Sequence, residues 1–188
     1  MEINLQNFYD KISERAKTYI GYPVATDYDY TELYPFLQYS INNVGDPFVE
    51  SNDMQCKSIE REVVSFYADF FNAPKDNHWG YVTNGGSEGN LYGLYLAREL
   101  YPNGIVYYSE ATHYSVQKNL HLLNMDSIVI RSQPNGEMDY DDLAEMIQLN
   151  RQKSVIIMAN IGTTMTEAKD SVPRIREILK QFAIKSSY

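Results

Sequence analysis

From Gly80 to the end of the sequence, short β-favouring runs alternate four times with longer stretches whose apolar residues recur every three or four positions. The runs are Gly80 to Thr83, Ile105 to Tyr108, Ser127 to Ile130 and Ser154 to Ala159. The helical stretches are 87–101, 113–124, 140–149 and 171–182, the last with Pro173 in its first turn. Each connection is long enough for a parallel crossover and too long for a hairpin. The pattern therefore predicts a three-layer α/β domain. The apolar centre of the fourth run, Val155-Ile156-Ile157-Met158, suits a strand covered on both faces. In such sheets ligands gather beyond the carboxyl ends of the strands, here the loops 84–87, 109–113, 131–137 and 160–167.

The residues before Gly80 read differently. Leu5, Phe8, Ile12 and Ala16 share one side of a helix over 4–20 that ends near Gly21 and Pro23. Residues 21–53 are rich in turn signals, with a short helix carrying Leu33, Phe36, Leu37 and Ile41 from a Thr31 cap. Ile59, Val63, Phe66, Tyr67 and Phe70 predict a helix over 55–72, with Ser58 as a candidate cap and Pro74 after its end. We therefore expect a helical and irregular N-terminal arm, residues 1–53, and an α/β domain from residue 54 to 188.

Charge and cysteine usage narrow the function. The formal net charge is −9 and no basic run exists, which argues against a nucleic-acid partner and an anionic membrane surface. Cys56 is the only cysteine, so an internal disulfide and a multi-cysteine zinc site are excluded. The first residues lack the charged and apolar regions of a signal peptide, and no apolar run approaches the roughly 20 residues of a membrane span. Cytoplasm is the expectation. Asp139, Asp141 and Asp142 fall at a helix start, where acids stabilise the dipole, so no metal site is expected there.

Three stretches at the predicted ligand edge could carry chemistry. Asn84-Gly85-Gly86-Ser87 joins the first run to its helix. Two glycines let an anion approach the first N–H groups of that helix, and Ser87 adds a hydroxyl, which suits a phosphate. A plain strand-to-helix turn accounts for the same residues equally well. The pattern is neither a Walker loop nor the dinucleotide G-x-G-x-x-G. His113 opens the next helix, either as a cap or as a residue that stacks on a flat ring and donates a hydrogen bond. Asn160 to Thr164 follow the most apolar strand and offer an amide and two hydroxyls, either as ligand anchors or as an ordinary capped loop.

Taken in order, several blocks resemble one family. They are Ser40-Ile41-Asn42-Asn43, Gly80 to Asn90, Thr112-His113-Tyr114-Ser115-Val116, Gln133 to Glu137 with Asp139 to Leu143, and Ala159 to Thr164. The chain resembles the pyridoxal-phosphate-dependent group II amino-acid decarboxylases and is most similar to the bacterial histidine decarboxylases. The resemblance implies a fold-type-I, aminotransferase-like large domain, incomplete here, with pyridoxal 5'-phosphate as cofactor. It implies that Gly85, Gly86 and Ser87 bind the cofactor phosphate. His113 would stack on the pyridine ring and touch the substrate. Asn160, Thr163 and Thr164 would line the cofactor pocket, and Asn42 and Asn43 would reach the substrate. The implied reaction converts L-histidine to histamine and CO₂, in a homodimer or larger homo-oligomer.

The family also needs an aspartate against the ring nitrogen, on a strand after the one ending at Ala159, and a Schiff-base lysine in a Ser-x-His-Lys-like segment. No lysine in this sequence follows a histidine. We therefore expect these residues to be the N-terminal part of such an enzyme, inactive by themselves. A truncated non-catalytic paralogue or partner subunit, and a serine-like substrate preference, are the alternatives.

Overall fold

A computed structural model describes residues 4–20, 28–50, 54–75 and 77–184. The chain divides into two compact units, residues 1–82 and 83–188.

The first unit holds α1 (Leu5–Ala16), a 3₁₀ helix (Thr31–Gln38) and α2 (Lys57–Phe70). Asn4 caps α1 by accepting the Asn7 N–H at 3.0 Å. The 3₁₀ helix starts after Tyr30, and Asp29 binds both the N–H and the hydroxyl of Thr31. Tyr30, not Thr31, therefore holds the cap position, without a side-chain bond. Cys56, not Ser58, holds the cap position of α2, without a side-chain bond. Two basic side chains one turn apart on α2 grip the preceding loop: Lys57 Nζ donates to the Val49 carbonyl and Arg61 to the Pro47 carbonyl, both at 2.8 Å. Lys57 is buried by this contact. Asp46 in the same loop accepts the Phe48 N–H at 2.8 Å and the indole N–H of Trp79 at 3.1 Å.

The predicted strand at 80–83 does not form. The Val82 N–H is given to the Glu60 carboxylate of α2 at 2.9 Å, not to a neighbouring strand. A β-favouring run becomes a strand only where another strand takes up its backbone groups, and a helix side chain does so here.

The second unit realises the rest of the alternation: α3 (Gly86–Leu100), β1 (Ile105–Ser109), α4 (Tyr114–Leu123), β2 (Ser127–Ile130), α5 (Tyr140–Leu149), β3 (Val155–Met158) and α6 (Val172–Gln181). The three strands form a parallel sheet in the order β2-β1-β3, with Val106 opposite Ser127 and Ile156. All five residues of the central strand are buried, as a strand covered on both faces requires. Alternate side chains of β1 enter different cores. Val106 and Tyr108 pack with Leu94, Val116 and Leu120 of α3 and α4. Ile105 and Tyr107 pack with Leu143, Ile147, Ile175 and Ile178 of α5 and α6. The two core faces and the helices on each side give the expected three layers.

Each helix of this unit starts within one residue of its expected position. Asp139 accepts the N–H groups of Asp141 and Asp142 at the head of α5, and Ser171 accepts that of Arg174 at α6. Asn124, with φ 52°, ends α4 in the left-handed conformation. Beyond β2 and β3, two loops are each closed by one antiparallel bridge, Ser132 with Met138 and Ile161 with Lys169. No helix among the described residues is long and apolar enough to cross a membrane.

Candidate active site

Gly85 holds the cap position before α3, with φ 153° and ψ 172°, a conformation open essentially to glycine alone. No side chain caps the helix. The Glu88 and Gly89 N–H groups fold back onto the Gly85 carbonyl, while those of Gly86 and Ser87 occupy the helical positions that have no preceding turn to donate to. A Cβ placed on Gly85 or Gly86 would meet nothing within 4 Å, so the turn is open from outside. The Glu88 carboxylate folds back onto Asn84, taking its backbone N–H at 2.8 Å and its side-chain amide at 3.1 Å. That contact keeps the acid at Asn84, on the residue before the two glycines.

His113 caps α4 with its ring. Nδ1 accepts the Ser115 N–H at 3.2 Å and lies 2.8 Å from the Ser115 hydroxyl. The two readings of His113 are compatible, because the cap uses one ring nitrogen and the side chain is otherwise exposed. α3 and α4 are joined by polar contacts near these starts. Asn119 of α4 donates to the Ser87 carbonyl at 3.0 Å, and Asn90 of α3 donates to the Ser115 hydroxyl at 3.3 Å. The structure thus places Ser87 and His113 at the heads of two neighbouring helices.

Asn160 leaves β3 and reaches across to the end of β1. Its amide donates to the hydroxyls of Ser109 at 3.3 Å and Thr112 at 3.0 Å, and to Asp170 at 2.9 Å. Asn160 therefore joins the carboxyl ends of adjacent strands, and its partner Thr112 is the residue before His113 in sequence. Thr163 is buried, and its hydroxyl is used inside its own loop, 2.6 Å from that of Thr166 and accepting the Ala168 N–H at 3.1 Å. Thr164 is exposed. Asn42 and Asn43 belong to the first unit. The Asn42 N–H donates to the Met54 carbonyl, and the Asn43 side chain accepts the Cys56 N–H at 2.8 Å and donates to Glu60 at 3.2 Å.

Asp170 was not evident as a site residue from its sequence context, yet it is a buried acid at the centre of this edge. One carboxylate oxygen accepts the Met138 N–H at 2.7 Å, and the other accepts both nitrogens of Asn160. A charged residue placed shortly before a helix reads as a solvated acid, and only the approach of the 132–138 loop reveals its partner.

The pyridoxal-dependent decarboxylase conserved domain matches residues 22–185. The chain belongs to the pyridoxal-dependent decarboxylase family. A histidine decarboxylase of Mesorhizobium japonicum is 46% identical over 98% of this chain and 50% of its own length. One from Morganella morganii is 50% identical over 88% of this chain and 44% of its own. The chain spans about half the length of the curated relatives it matches. Among solved structures, L-methionine decarboxylase from Streptomyces sp. 590 superposes with a TM-score of 0.82 at 24% identity, covering 95% of this chain and 47% of that one. Mouse CSAD gives 0.59 at 25% identity over 68% of this chain and 30% of its own. The fold is thus that of the large domain of fold-type-I pyridoxal-phosphate decarboxylases, present in part.

The residues at the sheet edge fit the family's cofactor. The uncapped, sterically open start of α3 suits a phosphate, and the imidazole at the head of α4 suits a flat heteroaromatic ring.

Proposed function

We propose that this chain supplies the phosphate-binding and ring-stacking part of a pyridoxal-phosphate-dependent decarboxylase acting on L-histidine, with histamine and CO₂ as products. The observation that carries the proposal is the pairing of two helix heads. Gly86 and Ser87 offer first-turn N–H groups that no side chain caps at one, and His113 offers its ring at the other, held together by Asn119 and Asn90. The similarity to histidine decarboxylases of several bacteria supports histidine over other amino acids.

In this reading the N–H groups of Gly86 and Ser87 and the Ser87 hydroxyl hold the phosphate dianion. The partial positive charge at the start of α3 favours it. His113 lies against the ring and faces the substrate. Asn160, fixed by three partners, lines the ring end of the pocket. Thr163 supports that loop from within, and Thr164 offers the exposed hydroxyl. The chemistry supplied by bound pyridoxal phosphate is an electron sink for the pair left when CO₂ departs. The residues of this chain orient and hold; they give the breaking bond its direction by fixing the plane of the ring.

No lysine here follows a histidine, which supports reading these 188 residues as a binding part that is inactive alone. The same reading carries a homodimer or larger homo-oligomer as the working assembly. Two measurements test it. The 188-residue protein should bind pyridoxal phosphate in competition with inorganic phosphate, without borohydride-trapped cofactor. The protein expressed from the full reading frame should release CO₂ from histidine in preference to serine. Absence of cofactor binding, or faster turnover of serine, overturns the corresponding part.

A further inference from the structure

We propose that Asn90 and Ser115 are positioning residues for His113, forming a one-way hydrogen-bond chain that leaves the outward nitrogen of the ring as a donor. The proposal rests on the reading of His113 as the ring-stacking residue.

A backbone N–H can only donate. The Ser115 N–H points at Nδ1 of His113 from 3.2 Å, a long contact that favours a lone pair on Nδ1 and the proton of the neutral ring on Nε2 without fixing the tautomer by itself. The Ser115 hydroxyl stands closer, at 2.8 Å. Asn90 Nδ2 donates to that hydroxyl at 3.3 Å, which occupies an oxygen lone pair and leaves the hydroxyl proton free to be donated across the 2.8 Å contact to Nδ1. All donors then run in one direction, from amide to hydroxyl to imidazole, and the chain ends at Nε2–H on the exposed side chain. A helix cap needs only the backbone N–H. The hydroxyl and the Asn90 amide exceed that need, and Ser115 is buried at 4% exposure. Four residues further along α4, on the same face, Asn119 holds the Ser87 carbonyl. One polar seam between α3 and α4 therefore sets both the orientation of His113 and the place of Ser87. A ring held in one tautomer presents the same donor at every turnover, at no cost in reorientation.

The test uses the 188-residue protein with ¹⁵N-labelled histidine. It has three histidines, and His113→Gln identifies the relevant signals. In the wild type the neutral His113 should be a single tautomer protonated at Nε2. Ser115→Ala and Asn90→Ala should each shift it toward a mixture, and Ser115→Thr should restore it. A wild-type ring protonated at Nδ1, or a Ser115→Ala spectrum like the wild type, overturns the proposal. If Ser115→Ala fails to fold, Asn90→Ala, which leaves the cap intact, decides by the same criterion. In cofactor binding, Ser115→Ala should weaken pyridoxal phosphate about five- to tenfold while displacement by inorganic phosphate is unchanged. Equal weakening of both ligands would mean a structural role and overturn the positioning role. A wild-type protein that binds no pyridoxal phosphate would overturn the functional reading instead, and the tautomer result would still decide this one.

Discussion

Asp170 receives both nitrogens of Asn160 on one carboxylate oxygen, the backbone N–H at 2.7 Å and the side-chain amide at 2.9 Å. Its other oxygen takes the Met138 N–H at 2.7 Å. Three donors thus converge on one buried anion and bind the loop after β2 to the loop after β3. Asp170→Asn keeps the shape but turns one acceptor into a donor that faces another donor. We expect a loss of about 2–4 kcal/mol in stability, with Asn160 displaced from Thr112. Chemical denaturation together with the Asn160 side-chain amide signals checks this. A variant as stable as the wild type would show that the carboxylate is not needed.

Gly136 has φ 86°, and a Cβ there would stand 2.7 Å from the Thr166 Cβ and 3.1 Å from that of Ala168. The 133–137 turn is therefore pressed against the 163–168 loop. Gly136→Ala should cost about 3 kcal/mol or more, since backbone strain and overlap add. A melting temperature equal to the wild type's would contradict the close approach.

At Gly85 the cost has a different origin. A Cβ there meets nothing, so Gly85→Ala should destabilise by only about 1–3 kcal/mol, through backbone strain alone. Relief of that strain would turn the Gly86 and Ser87 N–H groups away, so phosphate binding should fall more than stability does. Isothermal titration with inorganic phosphate and with pyridoxal phosphate measures it.

Tyr107 is wholly buried in the centre of the sheet, and its hydroxyl has no hydrogen-bond partner among the described residues. Burial pushes its ionisation upward. Tyr107→Phe removes a desolvated hydroxyl and keeps the ring in its core, so it should stabilise the protein by about 1 kcal/mol. Destabilisation by a similar amount would reveal a partner for the hydroxyl.

Acid should act on the first unit through Asp46. The Phe48 N–H holds its carboxyl below the usual range, the Trp79 indole N–H adds to this, and the charge of Lys57 helps. A depressed carboxylate contributes stability that is present above the ordinary range and is lost as pH falls through the lowered value. Trp79 is the only tryptophan, so its fluorescence reports this contact. The emission should change at strongly acidic pH, below ordinary carboxylate titration, and Asp46→Asn should abolish the acid-dependent step. An unchanged step in Asp46→Asn would assign it elsewhere.

The periodicity of the sequence was enough to place three strands and the four helices of the second unit, because 3.6-residue and continuous apolar patterns report which faces must leave water. It also indicated the Asp139 cap and the open turn at Gly85, since capping acids and glycines act within a few residues of themselves. The run at 80–83 misled for the opposite reason: its backbone partner, Glu60, lies 22 residues away in sequence.

What the sequence determined by itself was therefore local and periodic: the α/β alternation, the helix heads, and through the ordered blocks the family. The tertiary structure alone decided which side chains those heads share. Asp170 serves Asn160 and Met138, Asn160 spans two strands, and Asn90 and Asn119 fasten α3 to α4. Apart from Asp170 and Asn160, which are 10 positions apart, these contacts join residues 25 to 48 positions apart, a separation over which neither propensity nor spacing carries information, because only the packed sheet brings their backbones within hydrogen-bond reach.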